Sequence, residues 1–164
     1  MKKIGLISDT HGYLDDAVFK YFEDRDEIWH AGDFGTIELA DKLAAFKPLR
    51  GVYGNIDAQD IRSVYPENLR FMCEQVDVWM THIGGYPERY APKVRKEIYT
   101  KPPKIFISGH SHILKVMYDK KIGTLHLNPG AAGKQGWHKM RSLLRFCISE
   151  EKIHTLEVVE LGNR

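Results

Sequence analysis

Two observations predict an α/β fold for this 164-residue chain. Its first half alternates short, β-rich apolar runs with amphipathic segments of helical period. Its last third is a succession of strand-like runs separated by turn residues. Strands alternating with helices imply parallel pairing through helical crossovers. The expected architecture is therefore two mixed β-sheets packed face to face, with helices on the outer faces.

The chain opens with a strand over 2–8, then a helix around 15–24 that gathers Ala17, Val18, Tyr21 and Phe22 on one face. A second strand ends at Ala31, and a helix over 37–46 stops ahead of Pro48. A third strand ends at Tyr53. The runs 70–75 and 76–81 read as a hairpin with a tight turn near 75–77. A loop over 83–91 leads into a helix starting at Pro92, where a missing backbone N–H costs nothing. Pro102 and Pro103 end that helix before a strand at 104–108, and further strands follow at 115–119, 124–127, 142–149 and 152–160. No repeat, low-complexity tract or linker interrupts the series, so one domain spanning 1–164 is expected.

A hydrophobic share of 43% with 28% charged residues is ordinary globular composition. The net charge of +2 gives no global basic field to attract nucleic acid or a membrane surface. Lys93, Arg95, Lys96 and Lys101 read as a solvated helix face. No stretch approaches the ~20 apolar residues of a membrane span, and the apolar run after Lys3 is too short for a secretory signal. Cys73 and Cys147 lack CxxC spacing and read as reduced core thiols of a cytoplasmic protein.

The chemistry is concentrated in five clusters, each placed after an apolar run: Asp9-Thr10-His11-Gly12, Gly32-Asp33, Gly54-Asn55-Ile56-Asp57, Thr81-His82 and Gly109-His110-Ser111-His112. A lone Asp-x-His or Gly-His is ordinarily a turn or a satisfied surface pair. Five such clusters at strand ends are different, because loops at the carboxyl ends of α/β strands converge on one crevice. The candidate metal ligands are Asp9, His11, Asp33, Asn55, His82, His110 and His112. The set mixes carboxylate, amide and imidazole without thiolate, which suits hard-to-borderline divalent ions. Seven donors exceed one tetrahedral site and match two metals sharing a carboxylate and a solvent molecule.

The order Asp-x-His, Gly-Asp, Gly-Asn-x-Asp, Thr-His, Gly-His-x-His resembles the calcineurin-like metallophosphoesterases. The short length and the Asn128-Pro129-Gly130 loop look most like the small bacterial and archaeal phosphodiesterases of that superfamily. The resemblance runs from about Lys3 to Gly130 and, through the terminal strands, covers most of the chain. It implies a four-layer α/β/β/α sandwich and a dinuclear metal-dependent phosphoesterase, a phosphodiesterase first. Such an enzyme hydrolyses a small phosphate ester by attack of a water or hydroxide that bridges the metals. Carried over by residue, it assigns one ion to Asp9, His11, Asp33 and His112, and the other to Asp33, Asn55, His82 and His110, with Asp33 bridging. Manganese is the expected ion, with iron, zinc, cobalt or nickel as alternatives. The superfamily also includes a retromer subunit that works as a scaffold with a weakened metal site, so a metal-binding scaffold is the alternative function. The oligomeric state stays open, a homodimer included.

The sequence departs from the family pattern at Ile56, where many members carry a His able to assist the leaving group. Asp57 is expected to hydrogen-bond and orient a ligand, and His30 to sit buried behind the ligands. The Pro-Arg pair that often follows Asn-Pro-Gly is absent; Lys134, Trp137, His138 and Arg141 are candidate replacements. Tyr86, Arg89 and Tyr90, just after His82, are candidate substrate contacts, since Arg beside tyrosines suits a phosphate with an attached ring. His126 and His154 are expected at strand surfaces.

Overall fold

Parallel strands buried on both sides set the frame. The computed structural model describes residues 1–164. In the first sheet β1 (Lys2–Ile7), β2 (Glu27–His30) and β3 (Leu49–Gly51) pair in parallel. The last two strands of the chain, β11 (Met140–Ser149) and β12 (Lys152–Asn163), extend this sheet antiparallel from β1, giving the order β12-β11-β1-β2-β3. In the second sheet β5 (Val76–Thr81), β8 (Ile105–Ile107) and β10 (Thr124–Pro129) are parallel. Its edges are the antiparallel β4 (Asn68–Cys73) and β9 (Leu114–Asp119), in the order β4-β5-β8-β10-β9.

The facing surfaces of the two sheets supply one core: Ile4, Leu6 and Trp29 from one, Val78, Met80, Ile105 and Leu127 from the other. Each such side chain contributes roughly 1.5–3 kcal/mol by leaving water. On the outer face of the first sheet, α1 (Ala17–Phe22), α2 (Ile37–Phe46) and α3 (Gln59–Arg62) pack Phe22, Leu43 and Ile61 against Ile7 and Ile28. On the outer face of the second, α4 (Pro92–Thr100) lays Val94 and Ile98 on Trp79 and Phe106. These are the four layers α/β/β/α. Thr36 caps α2 by accepting a hydrogen bond from the Leu39 N–H at 3.3 Å.

Several local expectations are corrected. The β4–β5 turn falls at Glu74-Gln75, ahead of the expected 75–77, with Glu74 at φ 52°. The loop over 83–91 holds a miniature hairpin of β6 (Gly85–Tyr86) and β7 (Arg89–Tyr90). His126 is buried, not on a strand surface, and its Nδ1 lies 3.2 Å from the Phe106 carbonyl. His154 is exposed, as expected.

Candidate metal centre

The carboxyl ends of β1, β2 and β3 in one sheet, and of β5 and β8 in the other, carry the five clusters. The loops are stitched to each other: Asp9 N–H donates to Gly32 O and His11 N–H to Asp33 O, each at 3.0 Å, and Gly109 N–H donates to His82 O at 3.0 Å. Five of the seven candidate ligands adopt left-handed backbone: Asp9 (φ 53°), His11 (46°), Asp33 (58°), His110 (68°) and His112 (61°). Each such non-glycine residue costs on the order of 1–3 kcal/mol, so the surrounding structure must over-determine it. Close approach explains two glycines. A Cβ on Gly54 would collide with the Asp33 carboxylate, and one on Gly32, at φ +104°, would lie 2.5 Å from His82 Nδ1.

The side chains converge. Asp33 Oδ2 lies 3.3 Å from His11 Nε2 and 3.2 Å from His82 Nε2. Asp9 Oδ1 lies 3.2 Å from His112 Nε2, 3.7 Å from His11 Nε2 and 3.8 Å from His82 Nε2. His110 Nδ1 stands 3.0 Å from Asn55 Oδ1. The donors form two groups, Asp9–His11–His112 and Asp33–His82–His110.

The other oxygen of each carboxylate is occupied by protein donors. Asp9 Oδ2 accepts from Ser8 Oγ at 2.7 Å and from the His110 N–H at 3.1 Å; Asp33 Oδ1 accepts from the Ile56 N–H at 3.1 Å. His82 Nδ1–H donates to Ala31 O at 2.7 Å, which leaves the Nε2 lone pair for the site.

Asp9 Oδ1, His11 Nε2 and His82 Nε2 are buried without a hydrogen-bond partner. Unpaired buried polar atoms cost about 1–3 kcal/mol each, and here they point at one another. Burial opposes ionisation of Asp9 and Asp33, yet the surrounding imidazoles hold both well below the usual carboxylate range. Reciprocally, the Asp33 and Asp9 carboxylates push His11 up to about 9. Burial works against charging His82, but the same carboxylates raise it too. A cluster of carboxylates that draws protons onto neighbouring imidazoles is a cation site by chemistry. The donors fit two divalent ions.

Behind them lies a scaffold. His30 is fully buried, stacked on Phe34 with ring centroids 3.7 Å apart. Its Nδ1 accepts from the Gly32 N–H at 3.1 Å, and its Nε2 lies 3.0 Å from Thr10 Oγ1, tying the first two loops together. Burial depresses its pKa to about 3, so it stays neutral. Asp57 does not hydrogen-bond a ligand side chain, contrary to expectation. It accepts three backbone N–H groups, from Phe34 (3.2 Å), Gly35 (2.9 Å) and Gly54 (2.8 Å), and so clamps the loops that carry Asp33 and Asn55.

The expected substrate contacts divide. Arg141 is 6% exposed and spent on structure: it donates to Asp15 Oδ2 at 2.9 Å, Asn163 O at 3.0 Å and Leu161 O at 3.2 Å. Tyr90 is 2% exposed, with its hydroxyl donating to Asp119 Oδ2 at 2.7 Å, so it packs the α4 layer. Both polar groups are engaged within the protein. Arg89 is exposed. His138 lies edge-on to His112, ring centroids 5.2 Å apart, with its Nε2 2.8 Å from Gly133 O. Tyr86 is exposed beneath the Lys115 ammonium, which sits 3.9 Å from the ring centroid.

Two cavities adjoin the Asp33–His82–His110 group. The larger, of about 570 Å³, includes Tyr53, Asn55, Arg62, His82, Ile83 and Lys93 in its lining. The smaller, of about 160 Å³, includes Ile83, Tyr86, His110, Ile113 and Lys115. Arg62 and Lys93 escaped the sequence reading of the site, because they come from the surfaces of α3 and α4 and carry no motif.

The model of the calcineurin-like phosphoesterase superfamily domain matches residues 1–151. A probable metallophosphoesterase of Methanothermobacter thermautotrophicus is 30% identical over 135 residues, covering 78% of this chain and 76% of its own. A probable metallophosphoesterase of Methanocaldococcus jannaschii is 31% identical over 134 residues, covering 78% and 67%. Among solved structures, a novel archaeal phosphodiesterase superposes with a TM-score of 0.75 at 18% identity, over 96% of this chain and 99% of that one. Vps29 of Entamoeba histolytica complexed with zinc superposes with a TM-score of 0.75 at 14% identity, over 97% and 98%. At these identities the two structures show a shared fold.

Proposed function

This chain belongs to the calcineurin-like phosphoesterase superfamily, and from that premise we propose that it is a dinuclear metal-dependent phosphodiesterase. The observation that carries the reading is the convergence of six donors into two groups of three, with Asn55 against His110 and with unpartnered, buried polar atoms between the groups. Asp9, His11 and His112 would hold one ion; Asn55, His82 and His110 would hold the other. Asp33 would serve both, since its Oδ2 is nearly equidistant from His11 and His82.

When bound, two divalent ions neutralise phosphoryl oxygens and lower the pKa of the attacking water. The chain's own groups do the rest. Ser8, the His110 N–H and the Ile56 N–H hold the carboxylates in one orientation, and Ala31 O fixes the His82 tautomer. His11, pushed up to about 9 by its carboxylate neighbours, must give up a proton as ions enter, so loading releases protons. The N/O donor set makes manganese our first choice of ion, and the two free buried cysteines suit a reducing cytoplasm.

Reconstituted protein should hydrolyse phosphodiesters in preference to phosphomonoesters, while chelated protein should be inactive. Phosphomonoester turnover alone would remove the diesterase reading. Asp33→Asn should weaken both ions and Asn55→Ala chiefly one. Metal titration separates the two, and equal retention of both ions in both variants would refute the assignment.

The alternative of a metal-binding scaffold draws on the likeness to Vps29 and on the exposed Ile113 and Trp137 beside His112. The intact seven-donor set favours the enzyme.

A further inference from the structure

A phosphodiester has two arms, and two cavities reach the second donor group. The larger reaches the group at Asn55 and His82, the smaller at His110, and Ile83 and Ala91 line both. Their sizes are very unequal, about 570 Å³ against 160 Å³. The first lies within the roughly 300–1,000 Å³ typical of small-molecule sites; the second is below it and suits a short group.

Resting on the phosphodiesterase reading, we propose that the substrate is an asymmetric phosphodiester, with a planar, ring-bearing arm of nucleoside size in the larger cavity and a short arm in the smaller. The wall of the larger cavity supports a ring. Tyr53 lies beneath the Arg62 guanidinium, 4.4 Å from its ring centroid, and forms a flat, cationic stacking surface. Arg62 is held there by donating to Asp57 O at 2.7 Å and Asn55 O at 3.2 Å, so the surface is fixed to a ligand loop. The same cavity is lined from α4 by Pro92, Val94 and Lys93, whose ammonium lies 3.6 Å from Glu67. Asn68 accepts from Trp79 Nε1 through its oxygen at 3.1 Å, which leaves its NH₂ group as a donor for the polar edge of a heterocycle. An apolar body with a few convergent polar groups at its edge is what a nucleobase presents. The smaller cavity also has a ring under a cation, Tyr86 with the Lys115 ammonium 3.9 Å from its centroid, but at about 160 Å³ it has no room for a nucleoside beside it.

Two diesters with the same short trifluoroethoxide leaving group test this: thymidine 5′-(2,2,2-trifluoroethyl) phosphate and methyl 2,2,2-trifluoroethyl phosphate, with 2,2,2-trifluoroethyl phosphate as the monoester. The metal-loaded wild type should favour the thymidine ester over the methyl ester by roughly tenfold or more in kcat/KM, the range available from filling one pocket. Glu67→Trp, which puts a bulky ring into the larger cavity from its exposed wall, should collapse that ratio mainly through KM. Continued methyl ester turnover would show that the variant is folded and loaded. Equal use of both diesters by the wild type, or an unmoved ratio in a variant that still turns over the methyl ester, would overturn the arm assignment while leaving the diesterase reading intact. Loss of all turnover by Glu67→Trp would also overturn it, because a wall residue remote from the donors would then matter to the centre itself. Wild-type turnover of the monoester alone would remove the diesterase reading and this inference together.

Discussion

Ile56 follows Asn55 directly and is 47% exposed at the rim of the donor cluster. It has no proton to give, so esters of poor leaving groups should suffer most, by up to the ~10²–10⁴-fold that general acid catalysis typically supplies. A steep dependence of rate on leaving-group pKa is expected, and Ile56→His should flatten it. A wild-type profile already flat, with chemistry rate-limiting, would make another group the acid, with His138 beside His112 the first to test. His126 carries a separate prediction. Burial depresses its pKa to about 4 from an ordinary 6.5. The unfolded chain therefore binds the proton more readily, and stability present above about pH 6.5 is lost as pH falls towards 4. The slope is at most about 1.4 kcal/mol per pH unit for this group. His126→Asn should flatten the curve of Tm against pH in that window, and an unchanged slope would count against a buried neutral imidazole. Single residues were also where the sequence misled. Arg141 and Tyr90 stand near the motifs along the chain. Their partners, Asp15 and Asp119, lie 126 and 29 residues away, and no local pattern announces them.

Elements with a strong period were legible. The helix expected over 37–46 forms as Ile37–Phe46, because Leu39, Ala40 and Leu43 recur on one face and Thr36 caps it. The four-residue α3 was not foreseen; Gln59–Arg62 is too short to show a helical repeat and buries only Ile61. The β6–β7 hairpin, with two residues in each strand, is invisible for the same reason. Connections between elements were less legible than the elements. Asp57 joins the loop after β2 to the loop after β3 through three N–H groups. Asp57→Ala would leave those donors unpaired, at about 1–3 kcal/mol for each that finds no water. Urea unfolding should show a loss of at least about 2 kcal/mol, and metal titration a weaker second ion. A variant as stable as wild type would mean that water replaces the clamp.

At the scale of the whole molecule, the fold and the metal centre are separate investments. None of the seven donors belongs to the fifteen-residue core between the sheets or the twelve-residue core under α1 and α2. Chelation should therefore leave far-ultraviolet circular dichroism unchanged. Occupancy at a hundredfold excess over Kd adds about 2.7 kcal/mol per site, so removing the ions should lower Tm by roughly 5–10 °C per site. Collapse of the fold on chelation would show instead that the ions hold the sheets together. The four-layer arrangement was readable because both sheets announce themselves through apolar runs. The two unequal cavities were not, since their walls combine α3, α4 and the small hairpin from both sheet edges.

The left-handed backbone at Asp9, His11, Asp33, His110 and His112 has an evolutionary corollary. Outside glycine, Asp, Asn and His are the side chains most often found in that conformation. Relaxed selection on turnover would leave these positions under a second constraint, that of backbone geometry, which favours much the same residues. A lineage that lost its chemistry would drift towards Asn and Gly there before it reached Val or Leu. Motifs of this kind therefore outlive activity, and the residues most informative about continued catalysis are Asn55 and His82, whose backbones the left-handed region does not constrain.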